Sequence, residues 1–193
     1  LHQRHAVNAA GSAGVSRIAR RALLAGLGAM LAAPRWAAAR APQPELAAWL
    51  PGARLQGQAR MSFIGLAVYD IRLWVSDGFD AAAFEQHPLA LEIEYARRFA
   101  GRQLAERSLA EMQRVASISP AQREAWLAAL LGAFPDVQPG ERLTGVHRPA
   151  QGARFLHDGR REVEVADPAF ARAFFAIWLS PRTSEPRLRS ALL

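Results

Sequence analysis

Between Leu89 and Arg114 an alternating apolar run stops at a glycine and becomes a helical pattern, and that switch constrains the fold class most. Leu89, Leu91, Ile93 and Tyr95 share one parity while Glu92 and Glu94 take the other. This is the period-two signature of a half-buried strand. Arg97 is the next residue of the buried parity. An uncompensated charge in an apolar face is costly. The pattern therefore predicts a carboxylate against Arg97, either an internal one or the head group of a ligand.

The flanking chain extends this pattern. Arg54 to Ile64 and Leu66 to Val75 read as two strands around Gly65, where a bend is cheap. In the second, Ala67, Tyr69, Ile71, Leu73 and Val75 share a face, and Asp70 and Arg72 point the other way. Asp77-Gly78 closes it, and Phe79 to Glu85 is a short irregular or helical link. A helix over Gln103 to Ala116 carries Leu104, Ser108, Met112 and Val115 on one stripe. Ser119-Pro120-Ala121-Gln122 opens a second helix, burying Trp126, Leu127, Leu130, Leu131 and Phe134. Strands resume at Glu141 to Arg148, Ala153 to His157 and Arg161 to Ala166, the last two joined by Asp158-Gly159 as a two-residue hairpin. Asp167-Pro168 caps a helix over Ala169 to Leu179, and a short helix follows from Glu185. The expected class is α+β: a large antiparallel sheet covered by a layer of helices on one face.

The net charge of +7 is concentrated at one end. Residues 1–39 contain Arg4, Arg17, Arg20, Arg21 and Arg35 and no acid, so 19 arginines remain to face all 17 acids. With the body nearly balanced and no basic run interleaved with aromatics, nucleic-acid binding is not expected. Arg17, Arg20 and Arg21 followed by the twelve apolar residues Ala22 to Ala33 and then Ala37-Ala38-Ala39 read as a signal peptide over 1–39. Twelve residues are too few to span a bilayer. The expectation is cleavage near Ala39, a single domain over 40–193, and a periplasmic or secreted location. The chain has neither cysteine nor lysine, which excludes disulfides, thiol catalysis and Schiff-base chemistry.

No nucleophile motif, metal-ligand spacing or paired catalytic carboxylates stand out, so no catalytic residue, metal site or cofactor is assigned. Glu106 and Glu111 read as the solvated face of their helix. What remains is Tyr69, Tyr95 and Arg97 on buried parities of adjoining strands, with Arg54, Arg60 and Ser62 on the first strand. Arginine in such a cleft can grip a carboxylate bidentately.

FIGLAVYDIRLW (Phe63 to Trp74), EYARRFAGRQLAERSLAEM (Glu94 to Met112), FPDVQPGERLTGV (Phe134 to Val146) and DPAFARAFFAIWLSPRTSEPRLRSALL (Asp167 to Leu193) together resemble the bacterial chalcone isomerase-like proteins. That resemblance implies an open-faced β-sandwich, and a family that includes plant isomerases closing a chalcone to a flavanone and non-catalytic relatives binding fatty acids in the same cleft. The family's catalytic set does not carry over. Aligned on Gly101, the isomerase tyrosine falls on Leu104 and the asparagine on Glu111. Aligned on Tyr69, the threonine falls on Ile64, with Ser62 as a poor substitute. The family arginine corresponds to Arg54 or Arg60.

The resulting expectation is non-catalytic binding of a small amphipathic carboxylate such as a fatty acid. Arg97 and one of Arg54 or Arg60 would neutralise the acid, Tyr69 and Tyr95 would hydrogen-bond it, and Met112, Leu104 and Phe99 would line the tail. A second reading is an isomerase or lyase using Arg97 as electrophile and Tyr95 as acid, which requires a lowered tyrosine pKa. A third is an envelope interaction protein, marked by an exposed apolar patch around Trp74.

Overall fold

The computed structural model describes residues 44–159 and 161–193; the expected signal peptide lies outside them. Six strands form one antiparallel sheet in sequence order: β1 (Arg54–Phe63), β2 (Leu66–Val75), β3 (Leu89–Tyr95), β4 (Arg142–Arg148), β5 (Gly152–His157) and β6 (Arg161–Val165). Four α-helices lie over one face: α1 (Gly101–Val115), α2 (Pro120–Ala133), α3 (Pro168–Leu179) and α4 (Pro186–Leu192). This is the architecture the periodicities predict.

The register explains why the helical face is apolar. Tyr69 pairs with Tyr95, Ile71 with Ile93, Leu73 with Leu91 and Val75 with Leu89, so one parity of β2 and β3 becomes a continuous floor. Onto it α3 presents Phe170 and Phe174, which meet Phe155 of β5 at ring-centroid distances of 6.1 and 5.0 Å. Asp167 starts α3 by accepting from the Ala169 and Phe170 amides, and Ser119 starts α2 with Gln122 in a reciprocal capping box. Helix α1 begins two residues before the expected Gln103, at Gly101, and buries Ala105, Leu109, Met112 and Val115. Leu104 and Ser108 fall to one side of that stripe. In α2, Trp126 and Leu130 are buried as expected, but Leu131 is exposed. Three residues, not two, separate His157 from its partner Arg161.

The opposite face corrects the sequence reading. Trp74 is only 2% exposed, so the apolar patch sought there does not exist. Leu46 and Leu50, on and just after a short 3-10 helix (Pro44–Ala48), pack with Trp74, Ala90, Val146 and Leu156 in a second apolar cluster. Trp49 also stacks on the Arg154 guanidinium at 3.8 Å from ring centroid to Cζ. On the same parity, Arg72 and Glu92 are buried and paired at 2.8 Å, with Glu94 3.3 Å from the same Arg72 nitrogen. Strand β3 is thus buried on both sides, as suits a central strand.

His147 of β4 is buried against Phe175, with Nδ1 3.0 Å from the His87 carbonyl oxygen. Burial is the main cause that holds its pKa below the usual histidine value, and the neighbouring Arg172 adds to it. The unfolded chain therefore takes up a proton on this side chain at a higher pH than the native state does. Its contribution to stability is complete above the unfolded value of about 6.5 and falls as pH drops from there towards the lower folded pKa. The melting temperature is expected to decline between about pH 7 and pH 5, and the decline to be smaller in His147→Gln. An unchanged pH slope in that variant would show that another group is responsible.

Candidate functional site

Strand β3 ends at Tyr95 because its partner turns away. The Tyr95 amide donates to the Glu141 carbonyl and its own carbonyl accepts from Gly140, at the turn leading into β4. Beyond it the Ala96 amide donates to Val68, and Phe99 makes an isolated bridge with Val137. Arg97 lies in this bend and is exposed, not in the apolar floor. The expectation of a buried Arg97 is therefore corrected: strand alternation does not extend past the last ladder residue. Arg97 nevertheless makes no ion pair or hydrogen bond among the described residues.

Beside this bend, between sheet and helices, lies a cavity of about 780 Å³. Its floor is Leu91, Ile93, Tyr95, Leu143 and Gly145, and its roof comes from Leu104 and Ser108 of α1 and Phe174, Ile177 and Trp178 of α3. Phe99, Tyr69, Arg97, Arg98 and Arg107 also border it. The walls are dominated by aliphatic and aromatic side chains with a few polar groups, the usual constitution of a small-molecule pocket.

A bulge re-aims the end of β2 into this space. Met61 opposes Tyr69, but Ser62 opposes Ala67, leaving Val68 as an extra residue. The Tyr69 and Tyr95 rings meet edge to face at 6.4 Å, and Tyr95 packs on Phe99 at 5.8 Å. The Trp178 indole N–H donates to the Tyr69 hydroxyl oxygen at 3.1 Å. The Tyr95 hydroxyl has no hydrogen-bond partner among the described residues. Burial pushes the Tyr69 pKa up to about 12 and raises that of Tyr95 as well. Both phenols are protonated near neutrality, so each hydroxyl carries a proton it can donate to a ligand. This direction is opposite to the one the Tyr95 acid reading requires.

Not every residue singled out from sequence reaches the cavity. Tyr69, Tyr95, Arg97, Phe99 and Leu104 border it; Arg54, Arg60, Ser62 and Met112 do not. Arg60 sits on the opposite parity, where its Nε and Nη2 donate to Asp70 at 2.7 and 2.8 Å. Arg54 donates to Gln56 at the far end of the strand and lies 3.9 Å from Asp77. Ser62 is exposed beside the hairpin tip. Met112 is fully buried in the α1 stripe that packs on the other helices, one helical face away from Leu104.

Glu111 is another residue that sequence reasoning misplaced. It is 6% exposed and forms part of the cavity wall, not a solvated face. Its carboxylate is neutralised by Arg107 Nη2 at 2.7 Å and Arg114 Nε at 3.3 Å, and accepts from the Ser184 hydroxyl at 2.9 Å. The stripe Leu104, Ser108, Glu111, at spacings of four and three, was the available signal. The approach of Ser184, after α3, left no trace in local pattern.

A meander sheet with helices over one face and a cavity between the two layers defines an open-faced β-sandwich. Residues 54–193 match the family model described as chalcone isomerase-like, and the chain belongs to that family. An uncharacterized protein of Haemophilus influenzae is 27% identical over 137 residues, which are 71% of this chain and 66% of that protein, so the match spans just under two thirds of its length. The crystal structure of an Arabidopsis thaliana fatty-acid binding protein superposes with a TM-score of 0.58 over 74% of this chain and 87% of that one. At 11% identity, the likeness is one of fold.

Proposed function

We propose that this protein binds a small amphipathic carboxylate of the fatty-acid class without transforming it. The observation that carries the proposal is the roughly 780 Å³ apolar cavity bordered by the Arg97 guanidinium, which has no partner among the described residues. The volume lies within the range of about 300–1,000 Å³ that encloses a drug-sized ligand. An acyl chain would lie among Leu91, Ile93, Leu143 and Phe174, and each buried methylene contributes up to about 0.8 kcal/mol before ordering costs. The head group would stay at the border, where Arg97 can meet it and the Tyr95 hydroxyl can donate. The fold shared with a fatty-acid binding protein supports this reading. The leader described above supports a further proposal, that the domain works outside the cytoplasm; in the described residues no helix is long and apolar enough to cross a membrane.

Thermal shift and native mass spectrometry with dodecanoate and hexadecanoate test the binding proposal. The expected results are a raised melting temperature and a one-to-one adduct. Leu104→Trp is expected to fill the cavity from α1, leaving the apo protein folded and abolishing the shift. Arg97→Gln is expected to weaken binding several-fold, a modest loss because its site is exposed. No shift and no adduct with either acid in the wild type would dismiss the proposal.

A further inference from the structure

Four large apolar side chains are exposed among the described residues, and three of them cluster: Phe63 at 66%, Ile64 at 83% and Leu66 at 55%. They form the tip of the β1–β2 hairpin, where Ile64 and Gly65 are the two turn residues with φ of +49° and +74°. Turns of this geometry favour asparagine, aspartate or glycine at the first position; a β-branched side chain there is strained. Ile64 is 83% exposed, so it gains little burial to offset the strain. The strain works against the folded state, so stability does not explain the residue.

The tip adjoins a cationic border. Phe63 borders the same cavity as Arg97, Arg98 and Arg107. Arg97 is exposed without an acidic partner among the described residues, and the side chain of Arg107 is 72% exposed although one of its nitrogens contacts Glu111. The acids at this border are Glu111, engaged by Arg107 and Arg114, and Glu185 at the start of α4. A projecting apolar tip flanked by guanidiniums suits an anionic bilayer. Isoleucine, leucine and phenylalanine can enter the acyl boundary while arginines meet phosphates. Three side chains on a hairpin turn are too small a surface for a stable protein interface, which buries about 800 Å² per partner.

From this arrangement we infer that the Phe63–Leu66 tip is a membrane-docking wedge for an anionic phospholipid surface, placed so that the cavity opens towards the bilayer. The docking stands on the tip and its charges alone. Only the further idea that a lipid-derived ligand passes from bilayer to cavity rests on the binding proposal above.

The test is co-sedimentation of the full chain with vesicles of phosphatidylcholine alone and of phosphatidylcholine with phosphatidylglycerol. Wild type and variants carry the same leader, so their difference reports the tip. Ile64→Asn is expected to lower partitioning onto the anionic vesicles roughly tenfold, the equivalent of withdrawing one large aliphatic side chain from lipid. Asparagine suits the turn, so the melting temperature of the variant is expected to equal or exceed that of wild type, which separates lost docking from lost folding. Ile64 does not line the cavity, so the thermal shift with dodecanoate is expected to be unchanged in it. A null dodecanoate result together with tip-dependent sedimentation would overturn the binding proposal and keep this one. Equal sedimentation of wild type and Ile64→Asn, or no preference for the anionic vesicles, would overturn the wedge. So would a concentration-dependent dimer abolished by Ile64→Asn without any change in sedimentation, which would make the tip a contact between copies.

Discussion

Arg72→Met is expected to destabilise the protein by about 3–5 kcal/mol, because it leaves Glu92 as a buried charge without its ion-pair partner. Both side chains are almost fully enclosed, at 3% and 2% exposure, so solvent cannot take over the lost interaction. The pair is also imperfectly satisfied: Arg72 Nε, Glu92 Oε2 and the neighbouring Thr144 hydroxyl have no hydrogen-bond partner among the described residues. The double variant Arg72→Met/Glu92→Leu is therefore expected to recover most of the loss, since apolar replacement of a whole buried pair is often neutral or stabilising. Chemical denaturation of the two variants decides the matter. If the double variant is as unstable as the single one, packing around Arg72 is what matters, not charge.

Gly101→Ala is expected to cost about 3 kcal/mol, or a melting temperature lower by on the order of 10 °C. Gly101 is the first residue of α1, and its amide donates to Asp136 Oδ1 at 2.8 Å. A Cβ there would be driven into the Phe134 carbonyl oxygen and lie 2.8 Å from the Pro135 carbonyl carbon. Both obstacles are backbone atoms at the end of α2, so no rotamer change relieves the clash. Either α1 shifts, disturbing the cavity roof, or the end of α2 does. Gly132→Ala is the control, because a Cβ at that helical position meets nothing within 4 Å and is expected to stabilise slightly. Equal melting temperatures for the Gly101 variant and wild type would refute the close-approach argument.

The sheet and its helical layer were legible because local periodicity carries them: strand parity in β2 and β3, and the capping chemistry of Ser119 and Asp167, are written within a few residues. The inner position of Tyr69 and Tyr95 follows from the same parity. Arg97 was misread because where a strand stops depends on its partner, and β4 begins 47 residues beyond the end of β3. Trp74, Arg72 and Glu92 were misread because one alternating face was assumed to meet solvent, whereas Leu46 and Leu50 cover part of it. Glu111 was misread for a similar reason, since Ser184 approaches from 73 residues away. Local pattern reports which way a side chain points; only the tertiary fold reports what waits there.

Every strand hydrogen-bonds to its neighbours in sequence, whereas the space beneath the helices is enclosed by Phe174, Ile177, Trp178 and Ser184 from the final stretch of chain. The β1–β2 and β4–β5–β6 hairpins can thus form with little loop-closure penalty, and the β3–β4 pairing closes the long connection through α1 and α2, before α3 completes any compartment. A guest molecule has nowhere to settle until α3 has docked. Its affinity then bears on how slowly the finished molecule comes apart, and hardly at all on how fast it assembles.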